Sequence, residues 1–518
     1  MGTEAIQGLF PREVVRVVTP GTVVEPGLVP ADRNNYLAAL VVSDDRAGLA
    51  HVDITTGEFA VTPLQSSDVW AATRHELMRL RPAELLLPED SLPPALEGVP
   101  CAWTSLAVWK FDAAQARTVL HDHFKVASLA GFGIEHVPLA ISACGAIVHY
   151  LKETQPSALN LLTSLRVYAL DEFMTLDAAT RRNLELTETL RTGQIKGSLL
   201  GVLDQTVTPM GARLIRQWLN QPLLDLERIN ERLELVAAFY TAGILRAEIM
   251  AALKPLADLE RITNRVLGGT ANPRDLTAMR ATLESLPALK EKLAVRSQPS
   301  EVRSQDAGLR TSDIGLWTLD FDPCSDILAL LRSALADEPP AVLGKPGIIR
   351  SGYSEELDGI LSSSRHAREW IAGLEKVERE RTGIKTLKVS YNKVFGYYLE
   401  ISRGHSVNAP ENYIRKQTLV NAERYITPEL KEYETLVLNA EERVLEIETR
   451  LFKELCAQIS AHAHRLLTTA RALARVDVLA ALAEVAARNN YVRPTLVLEN
   501  LLEIHNGRHP VVEQFLEA

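Results

Sequence analysis

Cysteine is scarce in this 518-residue chain. Its four residues, Cys101, Cys144, Cys324 and Cys456, lie far apart and form no C-x-x-C pair. That argues against a zinc site or a disulfide framework and fits a reducing cytosol. No apolar run approaches the ~18–20 residues that cross a bilayer, so no membrane role is expected. The opening stretch MGTEAIQGLFPREVV lacks the apolar centre of a signal peptide. No G-x-x-x-x-G-K-[ST] pattern occurs, so the chain offers no phosphate loop of that kind. Positive charge is short as well: 56 Lys and Arg face 66 Asp and Glu, a net charge of −10. A nucleic-acid binder of this composition must gather its cations in one place.

Several kinds of segment are present. REVVRVVTPGTVVEPG is extended and valine-rich, with turn chemistry at Thr19-Pro20-Gly21. YLAALVVSD and GLAHVDITTGEFAV read as strands joined by turns, followed by a helix, SSDVWAATRHELMRLRP, and a short strand, AELLLP. Strands giving way to alternating helix and strand predict an α/β layer domain over 30–152. From 153 the pattern becomes helical. Thr208-Pro209 opens one helix, PLADLERITNRVLGG ends at a glycine pair, and Asn272-Pro273 opens the next. VRSQ recurs at 295–298 and 302–305 in a polar stretch that reads as a solvated loop or insertion.

Heptads dominate after residue 350. Leu430, Val437, Val444 and Leu451 share one position, and Tyr433, Ala440 and Ile447 share another. Upstream, Ile360, Ala367 and Leu374 fall in one row and Trp370, Val377 and Ile384 in a second. Two heptad helices flanking 385–427 predict an antiparallel stalk, roughly 40 Å long at 1.5 Å per residue. Between them SYNKVFGYYLEISRG switches to a period of two, with Gly396 between Phe395 and Tyr397. A small β-rich module at the stalk tip is the expectation. Over 384–424 the cations are Lys385, Lys388, Lys393, Arg403, Arg415, Lys416 and Arg424; the anions are Glu400, Glu411 and Glu423. This surplus of positive charge, with Asn392, Asn412, Gln417 and Asn421 as neutral donors, suits a phosphate backbone. The alternative is a solvated surface whose Tyr397 and Tyr398 pack in a small core.

LDAATRRNLEL (176–186), TVTPMGARLIRQWL (206–219), SGYSEELD (351–358), ERTGIKTLKVSYNKVFGYYLEISRG (380–404), RKQTLVNAERYITPELKEYE (415–434) and GRHPVVE (507–513) together resemble, in order, blocks of the bacterial MutS family. The resemblance implies a multidomain, mostly α protein. Its parts are an α/β, ribonuclease-H-like connector, a helical core with long antiparallel lever helices, and a small β-rich clamp at the lever tip. Accordingly 1–29 is expected to end a mismatch-binding domain or linker, 30–152 to be the connector, and 153–384 the core with the first lever helix. The clamp is expected over 385–427, the returning lever over 428–500, and the start of an ATPase domain over 501–518. On this reading the chain is a central fragment with no catalytic, cofactor or metal residues of its own; ATP or ADP with Mg would belong to the missing ATPase domain. The implied partners are double-stranded DNA, a MutL-type repair factor and a second copy of the chain. The residues assigned to DNA-backbone contact are Asn392, Lys393, Lys416, Gln417, Asn421 and Arg424. Arg403 and Arg415 are secondary candidates, since either could pair with a lever glutamate.

Other patterns compete. HVDITTGEF (51–59) resembles the first strand of ribonuclease-H-like folds, so Asp53, with Glu84 and Asp90, could hold Mg²⁺ for nuclease chemistry. Capping or turn stabilisation is the plainer role for Asp53. A coiled-coil scaffold that binds protein alone is the third reading. The histidines of HDHF (121–124) and HAH (462–464) sit two apart, a spacing that faces them differently on a helix. His509 is expected to have a local structural role, and the arginines of RRNLEL to line a salt-bridged helix face or reach a neighbouring domain.

Overall fold

The computed structural model describes residues 17–25, 27–91, 96–295, 319–392 and 396–516. The VRSQ repeats lie outside these described residues. The chain forms two compact units, one of Met1–Ala271, Ala281–Ser325 and Ile459–Ala518, the other of Asn272–Arg280 and Asp326–Gln458.

The first unit opens with a mixed sheet. Strands β1 (Leu37–Ser43), β2 (Arg46–Asp53) and β3 (Glu58–Gln65) form an antiparallel meander, and β4 (Glu84–Pro88) and β5 (Ala102–Leu106) add in parallel beyond β1. The spatial order 5-4-1-2-3 is that of a ribonuclease-H-like sheet. Both faces are covered, which is why β1 is apolar at consecutive positions. Ala38 and Leu40 pack with Val69 and Leu77 of α1 (Val69–Leu80). Leu37 and Ala39 pack on the other side with Leu120 of α2 (Ala113–Phe124) and Ile147 of α3 (Pro138–Thr154). A sixth strand, β6 (Arg166–Val167), pairs with β3 inside the stretch that reads as helical. Two residues are too few to show a period.

Helices follow: α4 (Ala178–Asn183), α5 (Leu199–Leu203), α6 (Pro209–Asn220), α7 (Leu226–Thr241), α8 (Gly243–Leu253), α9 (Leu259–Leu267) and α10 (Pro273–Val295). Five of these starts are set by side chains that accept the otherwise unpaired first N–H groups. Asp177, Ser198, Thr208, Asp225 and Asp258 each cap in this way.

In the second unit, α11 (Ser325–Ala334) precedes α12 (Glu355–Thr382); strands β7 (Lys388–Asn392), β8 (Gly396–Ser402), β9 (Ile414–Thr418) and β10 (Ala422–Ile426) precede α13 (Pro428–Ser460). Helices α12 and α13 are antiparallel: Glu356 pairs with Arg450 at 2.5 Å, Arg368 with Glu441 at 2.6 Å, and Trp370 stacks on Tyr433 at 4.0 Å. The α13 heptad holds, with Leu430, Val437, Ala440, Val444, Ile447 and Leu451 buried and Tyr433 half-buried. The α12 heptad needs correction. Its buried positions are Leu357, Ser364, Ala367, Ile371, Leu374 and Glu378, while Val377 is 56% exposed. The second row therefore runs one residue later than apolarity suggests. Glu378 tolerates burial because the Tyr413 hydroxyl donates to it at 2.5 Å and Arg381 at 2.6 Å. Burial opposes its ionisation, but the bonds from Arg381 and Tyr413 outweigh that and hold the carboxyl below its ordinary range.

The chain re-enters the first unit as α14 (Ala463–Asn489), which packs on α6, α7, α8 and α9. Among the described residues no single helix is long and apolar enough to cross a membrane. Among the described residues one pair, α7 and α8, is long and apolar enough jointly; the two meet at 101° and bury Leu235, Phe239, Ile249 and Leu253.

One contact ties α14 to α6. Asp477 accepts hydrogen bonds from Thr208 N (2.8 Å), Thr208 Oγ1 (2.6 Å) and Val207 N (3.0 Å), at the positive end of α6. Gly211 leaves room for it, since a Cβ there would lie 2.2 Å from Asp477 Oδ2. Gly211→Ala is expected to cost about 1–3 kcal/mol through this overlap, read as a lower denaturant midpoint. Burial pushes the Asp477 carboxyl up to about 6 from an ordinary 3.8, against the bonds from Thr208 and Val207. Its folded value is the higher one, so the folded chain binds the proton first as pH falls. Stability from this group should therefore decline as pH rises from about 4 to about 6 and level off above. Asp477→Asn should flatten that slope in denaturation measured from pH 4 to pH 7.

Candidate nucleic-acid interface

Most of the residues expected to contact nucleic acid lie on or beside the four-stranded sheet between α12 and α13, whose order is β7-β8-β10-β9, all antiparallel. α12 stops at Gly383 in the left-handed region, and the period-two pattern takes over. Gly396 has φ +76, and a Cβ there would lie 1.9 Å from the Glu434 carboxylate on α13. Only glycine fits both demands, which explains a glycine between two aromatics. One sheet face is the module's core: Leu399, Ile401 and Tyr425 pack with Ile384, Leu387, Leu430 and Val437. Tyr397 belongs to it too, its ring 5.0 Å from that of Tyr391.

The opposite face is polar. Paired residues of antiparallel strands point the same way, and the register aligns Lys388, Glu400, Arg424 and Gln417 in one row across all four strands. Arg424 is held there by a carboxylate, an amide and a ring. It donates to Glu400 at 3.0 Å and to Gln417 at 2.9 Å, and its guanidinium lies 4.4 Å from the ring centroid of Tyr398. Asn392, opposite Gly396, shares this face at the far edge. Lys416 is the extra residue at the β9 bulge beside Arg424 and Tyr425, and it is exposed. Arg415 points to the core side and lies 3.6 Å from Glu423, a sheet residue instead of a lever glutamate.

Asn421 sits elsewhere, in the β9–β10 turn, where its carbonyl accepts from Arg403 N at 3.1 Å. Thr386 bonds Ser402 at 2.9 Å, so Lys385 lies at this same end of the sheet. The register separates that end from Asn392 by the length of β8, about 20 Å. The structure thus brings Gln417 and Arg424 together, keeps Asn392 on the same face four residues along β7 from their row, and puts Asn421 and Arg403 apart. Lys393 lies outside the described residues. Of the module's cations, Lys385, Lys388, Lys416 and Arg403 make no ion pair among the described residues. Lys388 belongs on the list of candidates and was missed. The alternation Lys388, Ser390, Asn392 in KVSYN was the available signal.

The other candidates are absorbed by structure. Asp53 accepts from Thr55 N (2.8 Å), Thr55 Oγ1 (2.7 Å) and Asn35 N (3.2 Å), a turn-stabilising role. Glu84 is saturated by Thr19, Gly21, Thr104 and Tyr150, tying the entry segment to the sheet. Asp90 is in an exposed turn. Among the described residues no group of three His, Cys, Asp or Glu is placed for a metal ion, and nothing favours the nuclease reading. His121 and His123 bond the carbonyls of Val126 and Leu162. His509 accepts from Val511 N and Val512 N, a local role as expected. Arg181 of RRNLEL reaches across to Asn220 of α6.

Family patterns agree with this layout. The pattern for MutS domain II matches residues 35–163, and that for MutS domain III matches residues 179–483. The DNA mismatch repair protein MutS of Dehalococcoides mccartyi (strain 195) is 44% identical over 98% of this chain and 58% of its own length. That of Symbiobacterium thermophilum is 44% identical over 99% of this chain and 58% of its own length. That of Chloroflexus aurantiacus is 42% identical over 98% of this chain and 57% of its own length. The chain therefore spans a little over half the length of these relatives.

The contacts separate scaffold from surface. Arg424→Ala removes a stacked guanidinium and leaves Glu400 without its partner, so it should destabilise the module by about 1–3 kcal/mol. Lys416→Ala should stay within about 0.5 kcal/mol of the parent. Hydrogen exchange of the β7–β10 amides reads the difference directly.

Proposed function

The chain belongs to the MutS family, and from that premise we propose that its β7–β10 module grips duplex DNA through the phosphate backbone, without reading sequence. The observation that carries this reading is the state of the module's charges. Glu400 is spent on Arg424 and Glu423 faces Arg415, which leaves Lys385, Lys388, Lys416 and Arg403 without ion pairs among the described residues. Unpaired, exposed Lys and Arg supply the salt-dependent attraction to phosphate, and amide side chains and main-chain N–H groups add position.

In this proposal Lys388 and Lys416 are the principal contacts and Asn392, Lys393 and Gln417 assist them. Arg424 presents the face more than it touches DNA. Arg403 and Asn421 make a second, separate contact. The α12–α13 pair carries the module as a lever. The proposed division of the chain is connector 30–152, core and first lever helix 153–384, clamp 385–427 and returning lever 428–500. Residues 1–29 and 501–518 would lead to the remaining length of the relatives. ATP hydrolysis would reside there, because this chain has no phosphate loop of the G-x-x-x-x-G-K-[ST] kind. A second copy of the chain and a MutL-type repair factor are the proposed protein partners, and the bacterial cytosol the proposed location.

Titration of the chain with homoduplex and mismatched duplex across salt concentrations tests the reading. Equal, salt-sensitive affinity for both is expected. Lys388→Glu/Lys416→Glu should weaken binding uniformly and reduce the salt slope by about 1 for each phosphate no longer neutralised. An unchanged slope in this variant would move the DNA contact off the module.

A further inference from the structure

A second concentration of positive charge lies in the first unit, in a cleft of about 710 Å³ where α1, the segment before β1, α4 and α6 converge. Eight arginines line it, against a single carboxylate, Glu188. Some of that charge is neutralised. Arg79 is bound by Glu76, and Arg213 by Asp258 and Glu260. Arg33 and Arg81 share Glu188 at 3.4 and 2.9 Å, and Arg216 lies 3.3 Å from Asp32.

Three of the eight have no carboxylate partner among the described residues. Arg74 and Arg182 are exposed at the rim. Arg181 is half-buried and bonds only neutral groups, the Leu176 carbonyl at 3.1 Å and Asn220 at 3.1 and 2.9 Å. Its fork has five N–H donors, so part of it stays unused. Arg216 adds a buried Nε with no hydrogen-bond partner. The cleft disfavours its own cations: burial, with Arg79 and Arg81 nearby, brings Arg181 down to about 10. Burial and Arg33 likewise lower Arg216. Arginines held close together without counter-charge are stabilised by a bound anion, and guanidinium forks match phosphate oxygens two at a time. The volume is that of a small-molecule site and is too small to admit a duplex.

We propose that this cleft binds a small, multiply charged phosphate, such as inorganic pyrophosphate or the diphosphate of a nucleotide, through Arg74, Arg181 and Arg182. The site is independent of the DNA contacts assigned to the β7–β10 module.

Calorimetric titration of the chain at low ionic strength tests it, with pyrophosphate, ADP, citrate and a short duplex as separate ligands. Pyrophosphate and ADP should bind at one site per chain. Arg74→Glu/Arg182→Glu should weaken both by about tenfold or more, the worth of one charge-assisted contact. Both positions are exposed and unpaired among the described residues, so the variant should keep its helical circular dichroism. Arg181→Lys keeps the charge but loses the fork and should also weaken binding. No heat with pyrophosphate would overturn the proposal, as would undiminished affinity in the double variant. Equal affinity for citrate would overturn the phosphate assignment. A duplex that displaces pyrophosphate would reassign the cleft to backbone phosphate and overturn the small ligand.

Discussion

A carboxylate at the end of a helix closes the larger unit of this protein. Asp477 on α14 meets the first turn of α6 across 269 residues of sequence. Its oxygens satisfy N–H groups that a helix leaves bare, and its charge faces the positive end of the dipole. Between α6 and α14 the chain runs through the whole second unit before it comes back. Buried ion pairs add to the same closure: Arg213 holds both Asp258 and Glu260 at the start of α9, and Arg246 of α8 holds Glu484 of α14 at 2.8 Å. Removing one member of such a set strands a buried charge, so its members are held together as a group.

Charge pairing also divides structure from surface elsewhere. Most arginines are spent on carboxylates, carbonyls or aromatic rings, as Arg232 is on Trp218 at 3.7 Å. Among the described residues, two groups of cations without carboxylate partners differ in chemistry. On the β7–β10 module the free cations include three lysines, compact point charges on flexible stems that suit a screened, sequence-blind hold on a polyanion. In the cleft beside α4 the cations without a carboxylate partner are all arginines, one of them half-buried, whose rigid forks suit a small ligand with fixed oxygens. Comparable clusters of positive charge therefore suit different ligands once burial and pairing are known.

Much of the fold was legible. Thr208 announces a helix start by a local hydrogen bond, and a local bond needs only neighbouring residues to be read. The α13 seam was legible because apolar side chains fill it. The α12 seam was misread where Glu378 takes an inward place, and nothing near it in sequence shows that Tyr413 supplies the partner. Six blocks in order pointed to the MutS family, and the family patterns bear that out. The candidate site was legible as a stretch and not as a surface. Arg424 and Lys416 look alike in a charge count, yet one is locked between Glu400, Gln417 and Tyr398 while the other stands at a bulge.

By itself the sequence determined the succession of α/β, helical and heptad segments, the antiparallel stalk and the basic β module between its helices, but not the two-residue strand β6. These follow from periods of two and three-and-a-half residues and from caps that act within one helical turn. Tertiary structure alone decided that Glu84 is consumed by the entry segment and the packing around the sheet, that Glu378 is buried while Val377 is not, and which cations remain unpaired. Each of those outcomes depends on a partner distant in sequence. A charge or hydroxyl has no fixed role until the fold sets what stands within hydrogen-bonding reach of it.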